Sequence, residues 1–185
     1  EQVTMLSSMF NEAKLIKIQE RLAGKNLPKG ITTILHGAPG TGKTETVYQI
    51  ARKTNREIVK VDISKSKSMW FGESEKLIKK IFTDYTDHAK KCKRTPILLF
   101  NEADAIFGKR KEVGAGSVGQ TENAIQNILL EELENFEGIF FATTNLAENL
   151  DTAFERRFLF KINFQKPSAE IKAKIWKSKL KRLSI

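Results

Sequence analysis

The sequence GAPGTGKT occupies residues 37–44, between an apolar run at residues 31–35 and a helical pattern that begins at Glu45. It matches the phosphate-loop pattern G-x-x-x-x-G-K-[ST] at every fixed position. Glycines let backbone N–H groups curve around phosphate oxygens, and the start of the following helix adds partial positive charge. The stretch therefore predicts a nucleoside triphosphate site. Its predicted contacts come from Gly37, Ala38, Pro39, Gly40, Thr41, Gly42, Lys43, Thr44 and Glu45.

Two residues of this loop have distinct predicted roles. Lys43 is expected to reach the β- and γ-phosphates, and the Thr44 hydroxyl is expected to ligate Mg²⁺. A glycine-rich turn that binds no ligand remains the alternative. The strand before the loop and the helix after it favour the phosphate site, because the mechanism needs that context.

Composition predicts a globular chain. Its 185 residues suit one domain, or one domain and a fragment, and 40% are hydrophobic while 29% are charged. No signal peptide and no apolar run long enough for a membrane span are visible, so we expect a cytoplasmic protein. Cys92 is the single cysteine, which excludes an internal disulfide, and we expect it to pack on a helix. Without an initiator Met, the chain is expected to be part of a longer protein.

Apolar periodicity predicts alternating strands and helices, which is typical of an α/β fold with a parallel sheet. Ligands bind outside the carboxyl ends of such strands, so the residues after Leu35, Phe100 and Thr143 are expected to converge. The predicted strands span residues 31–35, 57–62, 97–100, 138–143 and 158–164, and the predicted helices span 5–22, 45–54, 74–91, 120–136 and 167–183.

Asn101 and Glu102 follow the apolar strand 97–100, where a phosphate-loop NTPase holds Mg²⁺ and activates water. Glu102 is the candidate general base. Asn101 is the candidate metal-shell residue, but its amide brings no negative charge, so we expect weaker Mg²⁺ affinity and slower turnover. The alternative is that Glu102 and Asp104 are an acidic pair that stabilises a helix start.

Three further positions are candidates. Asn145, at the end of the 138–143 strand, could orient the attacking water, although asparagine often only begins a turn. Arg156 and Arg157 could stabilise phosphoryl-transfer charge, or could form surface ion pairs. Trp70 and Phe71 lie in a predicted polar loop, where exposed aromatic residues indicate a partner unless a neighbouring element buries them.

Together these segments, from residue 33 to residue 167, resemble the AAA family of ATPases. Residues 37–44 resemble its Walker A motif, 97–102 its Walker B motif with Asn101 as the deviation, and 142–145 its sensor-1 strand. Residues 150–158 resemble its second region of homology, most closely in the microtubule-severing and endosomal-sorting branch. There the arginine pair, matched by Arg156 and Arg157, reaches the neighbouring subunit's γ-phosphate. Trp70, Phe71 and Gly72 resemble the first pore loop, and residues 109–119 stand where the second lies.

The resemblance implies a three-layer α/β/α P-loop NTPase fold with a five-stranded parallel sheet of order 5-1-4-3-2. It implies an N-terminal helix and linker packing on the nucleotide site (1–30), a large subdomain (31–166) and the first helix of a truncated helical lid (167–185). It further implies a homo-hexameric ring that uses ATP and Mg²⁺ to remodel a polypeptide through its pore.

Two other functions remain open. The net charge of +10 suits a nucleic-acid motor or loader on the same ATPase core. Asn101 suits a nucleotide-gated scaffold that hydrolyses ATP weakly.

Overall fold

A computed structural model describes residues 7–25, 27–63, 70–108, 116–145 and 151–182. Its centre is a five-stranded parallel sheet with the strand order β2-β3-β4-β1-β5, which confirms the predicted fold class and order. The strands are β1 (Ile31–Gly37), β2 (Ile58–Asp62), β3 (Ile97–Asn101), β4 (Ile139–Thr144) and β5 (Phe160–Phe164).

Helices flank both faces of the sheet. Asn11 caps the first of them, since its side chain accepts a hydrogen bond from the Ala13 N–H. Among the described helices, none combines the length and the apolar character needed to cross a bilayer. The helices are α1 (Glu12–Ala23), α2 (Lys43–Thr54), α3 (Trp70–Ala89), α4 (Asp104–Phe107), α5 (Gly116–Asn135), α6 (Thr152–Arg157) and α7 (Ala169–Arg182).

The central strands β1, β3 and β4 are buried on both faces, which the continuous apolar run at residues 97–100 predicts for β3. Alternate residues point to opposite faces, so β4 contributes Phe140 to one core and Phe141 to the other. The first core holds α3, α5 and α6 against the sheet, with Phe140 among the rings of Phe82, Phe100 and Phe136. The second core holds α1 and α2. This double burial fixes the carboxyl edge of the sheet, where the candidate site lies.

The N-terminal segment packs on the second core. Phe10 and Leu15 are buried there, beside Val47 and Ile50 of α2. These contacts place α1 against the sheet and α2. Packing of residues 1–30 on the nucleotide site, like the division of the chain at residues 30 and 166, stays a prediction.

Some element boundaries differ from those that the sequence predicts. Helix α3 begins at Trp70 rather than at residue 74, and α5 begins at Gly116 rather than at residue 120. The prediction of a loop at Trp70 and Phe71 is therefore wrong. Contacts between α3 and α5 stabilise both helices, and such packing overrides weak local propensity. Residues 109–115 of the proposed second pore loop, and residue 150 of the segment 150–158 that resembles the second region of homology, lie outside the described residues.

Candidate nucleotide-binding site

The phosphate loop connects β1 to α2 and forms one wall of a pocket of about 330 Å³. Gly40 and Gly42 have φ values of 72° and 93°, in the left-handed region that glycine adopts without strain. Gly42 is also the N-cap of α2 and offers no side-chain cap, which leaves the first N–H groups of this helix available to a bound anion. The pocket is lined by residues 39–45 together with Glu102, Thr143, Thr144 and Asn145.

Lys43 lies at the centre of this pocket and is only 7% exposed. Its ammonium group donates to the carbonyls of Gly37 (2.7 Å) and Ala38 (2.9 Å) and to Oδ1 of Asn145 (3.0 Å). Burial lowers the pKa of Lys43, and the charges of nearby acidic side chains partly oppose this effect. The Lys43 ammonium and the Asn145 amide therefore lie together in the pocket, as expected if the ends of β1 and β4 converge.

Asp104 fixes the orientation of the Asn145 amide. Its Oδ1 accepts from the Thr144 hydroxyl (2.7 Å) and from the Asn145 N–H (2.8 Å), and its Oδ2 accepts from Asn145 Nδ2 (3.0 Å). Only this amide orientation gives both the nitrogen and the oxygen of Asn145 a partner. Asp104 therefore positions the Asn145 side chain, in addition to being an acidic residue at the start of α4.

Asn101 joins the loop to the edge of the sheet. Its Oδ1 accepts from the Thr44 hydroxyl (2.7 Å), and its Nδ2 donates to Oδ1 of Asp62 (3.1 Å) on the neighbouring strand. A hydroxyl and an amide oxygen this close are hard donors that suit Mg²⁺ and the waters it retains. These residues therefore fit a magnesium ion, and the Asp62 carboxylate behind Asn101 is paired with Lys60 at 2.9 Å.

This geometry gives a prediction for Asn101. In Asn101→Asp a carboxylate would replace the amide that donates to Asp62. Repulsion between the two carboxylates would raise the pKa of one of them, and this would offset the gain in Mg²⁺ affinity from the added charge. When Asn101→Asp is combined with Asp62→Asn, the amide introduced at position 62 can donate a hydrogen bond to the carboxylate introduced at position 101. We expect the double variant to bind Mg²⁺ with nucleotide about tenfold more tightly than Asn101→Asp alone, because hydrogen-bond partners of a metal ligand change metal affinity by about this much. Calorimetric Mg²⁺ titrations, with Asp62→Asn alone as the control, would refute this if the single and double variants matched.

Glu102 has a strained backbone at the pocket wall. Its φ of 54° lies in the left-handed region, which costs a non-glycine residue about 1–3 kcal/mol. Two hydrogen bonds to Thr143 hold this conformation, from Glu102 N–H to the hydroxyl (3.0 Å) and from Ala103 N–H to the carbonyl (2.9 Å). The side chain is exposed and lines the pocket, so the strain lies where the general base is predicted.

His36 lies on β1 directly before the phosphate loop. Its Nδ1 is buried and has no hydrogen-bond partner within the described part of the chain. Burial and, secondly, the charge of Lys43 lower the pKa of His36 below its ordinary value of 6.5. The imidazole is therefore neutral at pH 7 and adds no charge beside Lys43.

The lowered pKa of His36 predicts a loss of stability in mild acid. The unfolded chain binds a proton there below about pH 6.5, whereas the folded chain binds it only at lower pH. The free energy of unfolding should therefore fall between about pH 7.5 and about pH 5.5, and His36→Gln should remove part of that fall. Urea unfolding at both pH values measures it, with the unmodified chain as the reference. An identical fall in His36→Gln would contradict the prediction.

The other predicted site residues lie elsewhere in the chain. Arg156 is exposed on α6, and Arg157 donates to Oε2 of Glu134 (2.9 Å), so neither lines this pocket. Trp70 and Gly72 begin the backbone of α3, with Phe71 between them. A larger cleft of about 660 Å³ lies between the ends of α3 and α5, away from the phosphate loop.

Sequence reasoning missed the supporting roles of Asp62, Asp104 and Thr143. The signal for Asp62 was available, because it ends β2 as Asn101 ends β3, and adjacent parallel strands pair such residues. Thr143 precedes the sensor-like Asn145 by two residues, but its bonds to the Glu102 region depend on the pairing of β3 with β4.

Most of the chain matches the model of one known protein family. Residues 33–166 match the model described as "ATPase family associated with various cellular activities (AAA)". The chain belongs to the AAA family. This AAA domain is 31% identical over 145 residues to "Cell division protein C" of Sulfolobus acidocaldarius, covering 77% of the chain and 38% of that relative. It is 32% identical over 178 residues to "26S proteasome regulatory subunit 7 homolog" of Saccharomyces cerevisiae, covering 90% and 36% respectively.

A solved structure shows the same fold. A chain of the "E. coli MS115-1 HORMA:CdnC:Trip13 complex" matches with a TM-score of 0.68 at 22% identity, over all of this chain and 67% of that one. At this identity the likeness shows the fold alone. The AAA domain spans little more than a third of the length of the curated relatives, at 38% and 36%.

Proposed function

We propose that this AAA domain binds and hydrolyses ATP with Mg²⁺ to drive the remodelling of a protein substrate. The observation on which this depends is the contact of Lys43 Nζ with Asn145 Oδ1 at 3.0 Å, in a pocket that Glu102 also lines. A buried cation, an oriented amide and a carboxylate beside a phosphate loop suit transfer of a terminal phosphoryl group.

In the proposed reaction each of these residues has one task. Lys43 balances negative charge on the β- and γ-phosphates, and Asn145, fixed by Asp104, orients the attacking water. Glu102 accepts the proton of that water as it attacks phosphorus. Thr44 and Asn101 would hold Mg²⁺, which when bound offsets charge on the phosphate oxygens.

The assembly is part of the proposal. The relatives include proteins named as 26S proteasome regulatory subunits, which supports a protein substrate and an oligomer. We propose a homo-hexameric ring in the cytoplasm, with a sequence closest to the microtubule-severing and endosomal-sorting branch. Arg156 and Arg157 of one subunit would contact the γ-phosphate bound by its neighbour. Exposure of Arg156 on α6 supports this arrangement.

A variant of the proposed pore loop tests the remodelling function. We expect Trp70→Ala in the full-length protein to keep ATPase activity and to lose remodelling, because Trp70 would grip substrate without touching nucleotide. Paired assays of ATP hydrolysis and of unfolding of a tagged substrate measure this, with Trp176→Ala on α7 as a matched control. Normal unfolding by Trp70→Ala would contradict threading through a pore.

A nucleotide-gated scaffold is the second candidate, favoured by the neutral Asn101 amide against Thr44. Single-turnover hydrolysis separates the two functions. A scaffold would retain bound ATP through the assay, whereas the proposed enzyme would convert it to ADP.

A further inference from the structure

Three side chains with metal-binding chemistry meet at the amino edge of the sheet, opposite the nucleotide pocket. Glu57 directly precedes β2, His88 lies in the last turn of α3, and Cys92 lies in the turn that follows. One ligand atom of each lies within 4.8 Å of those of the other two. Nε2 of His88 is 2.9 Å from Oε2 of Glu57. We propose that Glu57, His88 and Cys92 bind a zinc ion.

The donor set selects the metal. Thiolate, imidazole and carboxylate are the three ligand types of Zn²⁺ sites, and three protein ligands leave one position for water. Mg²⁺ and Ca²⁺ prefer oxygen ligands alone, so the sulfur and nitrogen donors discriminate against them. Tetrahedral Zn²⁺ with bonds of about 2.0–2.3 Å needs ligand atoms roughly 3.3–3.8 Å apart. Rotation of these side chains would widen the 2.9 Å separation of His88 Nε2 and Glu57 Oε2 and would bring the more distant ligand atoms, now within 4.8 Å, into this range.

Backbone hydrogen bonds hold the three ligands in place. The N–H of Cys92 donates to the Ala89 carbonyl (3.2 Å) and that of Lys91 to the His88 carbonyl (2.9 Å), which continue the turn beyond α3. The carbonyl of Glu57 accepts from the Ile97 N–H at 2.8 Å, at the start of the β2–β3 pairing. The ligands therefore come from two separate elements whose relative position the sheet fixes.

The charge of the region is compatible with a bound cation. Lys91, Lys93, Arg56 and Arg94 line the cavity beside the cluster, but Arg56 pairs with Glu12 at 2.6 Å, and Arg94 donates to a backbone carbonyl. The Glu57 carboxylate and the Cys92 thiolate together balance Zn²⁺, since a coordinating thiol is deprotonated. The carbonyl end of α3 adds partial negative charge. The ion would tie the end of α3 to the start of β2 and so stabilise the first core.

Cobalt titration tests the site directly. The 185-residue chain has one cysteine, so a thiolate-to-cobalt charge-transfer band on adding Co²⁺ reports ligation by Cys92. We expect this band in the unmodified chain and its loss on adding Zn²⁺. Cys92→Ser should abolish the band, and His88→Gln and Glu57→Gln should each weaken Zn²⁺ binding at least about tenfold, the lower bound for losing even an outer partner.

Two further measurements keep the test decisive. Glu137→Gln, which alters an exposed carboxylate paired with Lys29, is the matched control and should bind Zn²⁺ normally. Zn²⁺ should raise the midpoint of thermal unfolding in the unmodified chain and in Glu137→Gln but not in Cys92→Ser. The proposal is overturned if no charge-transfer band forms, or if the three ligand variants bind Zn²⁺ as tightly as the unmodified chain. Preferential binding of phosphate to the surrounding basic residues, without a Zn²⁺ effect, would also overturn it.

Discussion

Glu102→Gln is expected to lower the rate of ATP hydrolysis by about 10²–10⁴-fold, the usual contribution of a general base. The amide keeps the size of the side chain and cannot accept the proton of the attacking water. The backbone strain at φ 54° and its two bonds to Thr143 do not depend on the carboxylate, so the pocket should keep its shape. Nucleotide affinity is expected to stay within a few-fold of that of the unmodified protein.

Steady-state hydrolysis and ATP-binding titrations on the full-length protein measure the two effects separately. Glu137→Gln is the matched control, because the same chemical change is made on an exposed carboxylate outside the pocket. Hydrolysis at the normal rate by Glu102→Gln would assign the base to another group. Equal losses of binding and hydrolysis would give Glu102 a structural role instead.

Lys43→Ala is expected to weaken ATP binding by about 2–5 kcal/mol, or at least roughly 30-fold, because it removes a buried hydrogen-bonded charge from a polyanion site. The same substitution leaves Asn145 Oδ1 without the donor that it has at 3.0 Å. ATP-binding calorimetry measures the effect.

Lys53→Ala is the control for this substitution. It removes an exposed lysine from the last turn of the same helix, α2, and should bind ATP almost normally. Thermal unfolding of both variants excludes a folding defect as the cause. Unchanged affinity in Lys43→Ala would show that the phosphate loop does not hold the triphosphate.

The sheet could be predicted because its evidence is local. The 97–100 run is apolar without interruption, the 31–35 run is rich in β-branched residues, and the resemblance supplied the strand order that the structure confirms. The starts of α3 and α5 could not be predicted, because Trp70 and Gly116 are weak local helix signals. Contacts between these two helices contribute to their stability beyond local propensity.

The candidate site was predictable only in part. Glycine spacing points to the loop, and strand ends point to Glu102 and Asn145, whose roles remain proposals. The pairs Asn101–Asp62 and Asn145–Asp104 depend on side-chain orientation across the sheet edge, which spacing does not encode. Cys92 was expected to pack on a helix, although His88 lies only four residues before it. The fold brings Glu57 to it from the start of β2.

A crystal structure of the domain with Mg²⁺ and a non-hydrolysable ATP analogue is the sharpest test of the nucleotide site. We expect the γ-phosphate within hydrogen-bond distance of both Lys43 Nζ and Asn145, with the Glu102 carboxylate facing the water that lies in line with it. A triphosphate bound outside the 37–44 loop, or a γ-phosphate that contacts neither Lys43 nor Asn145, would refute the proposed site.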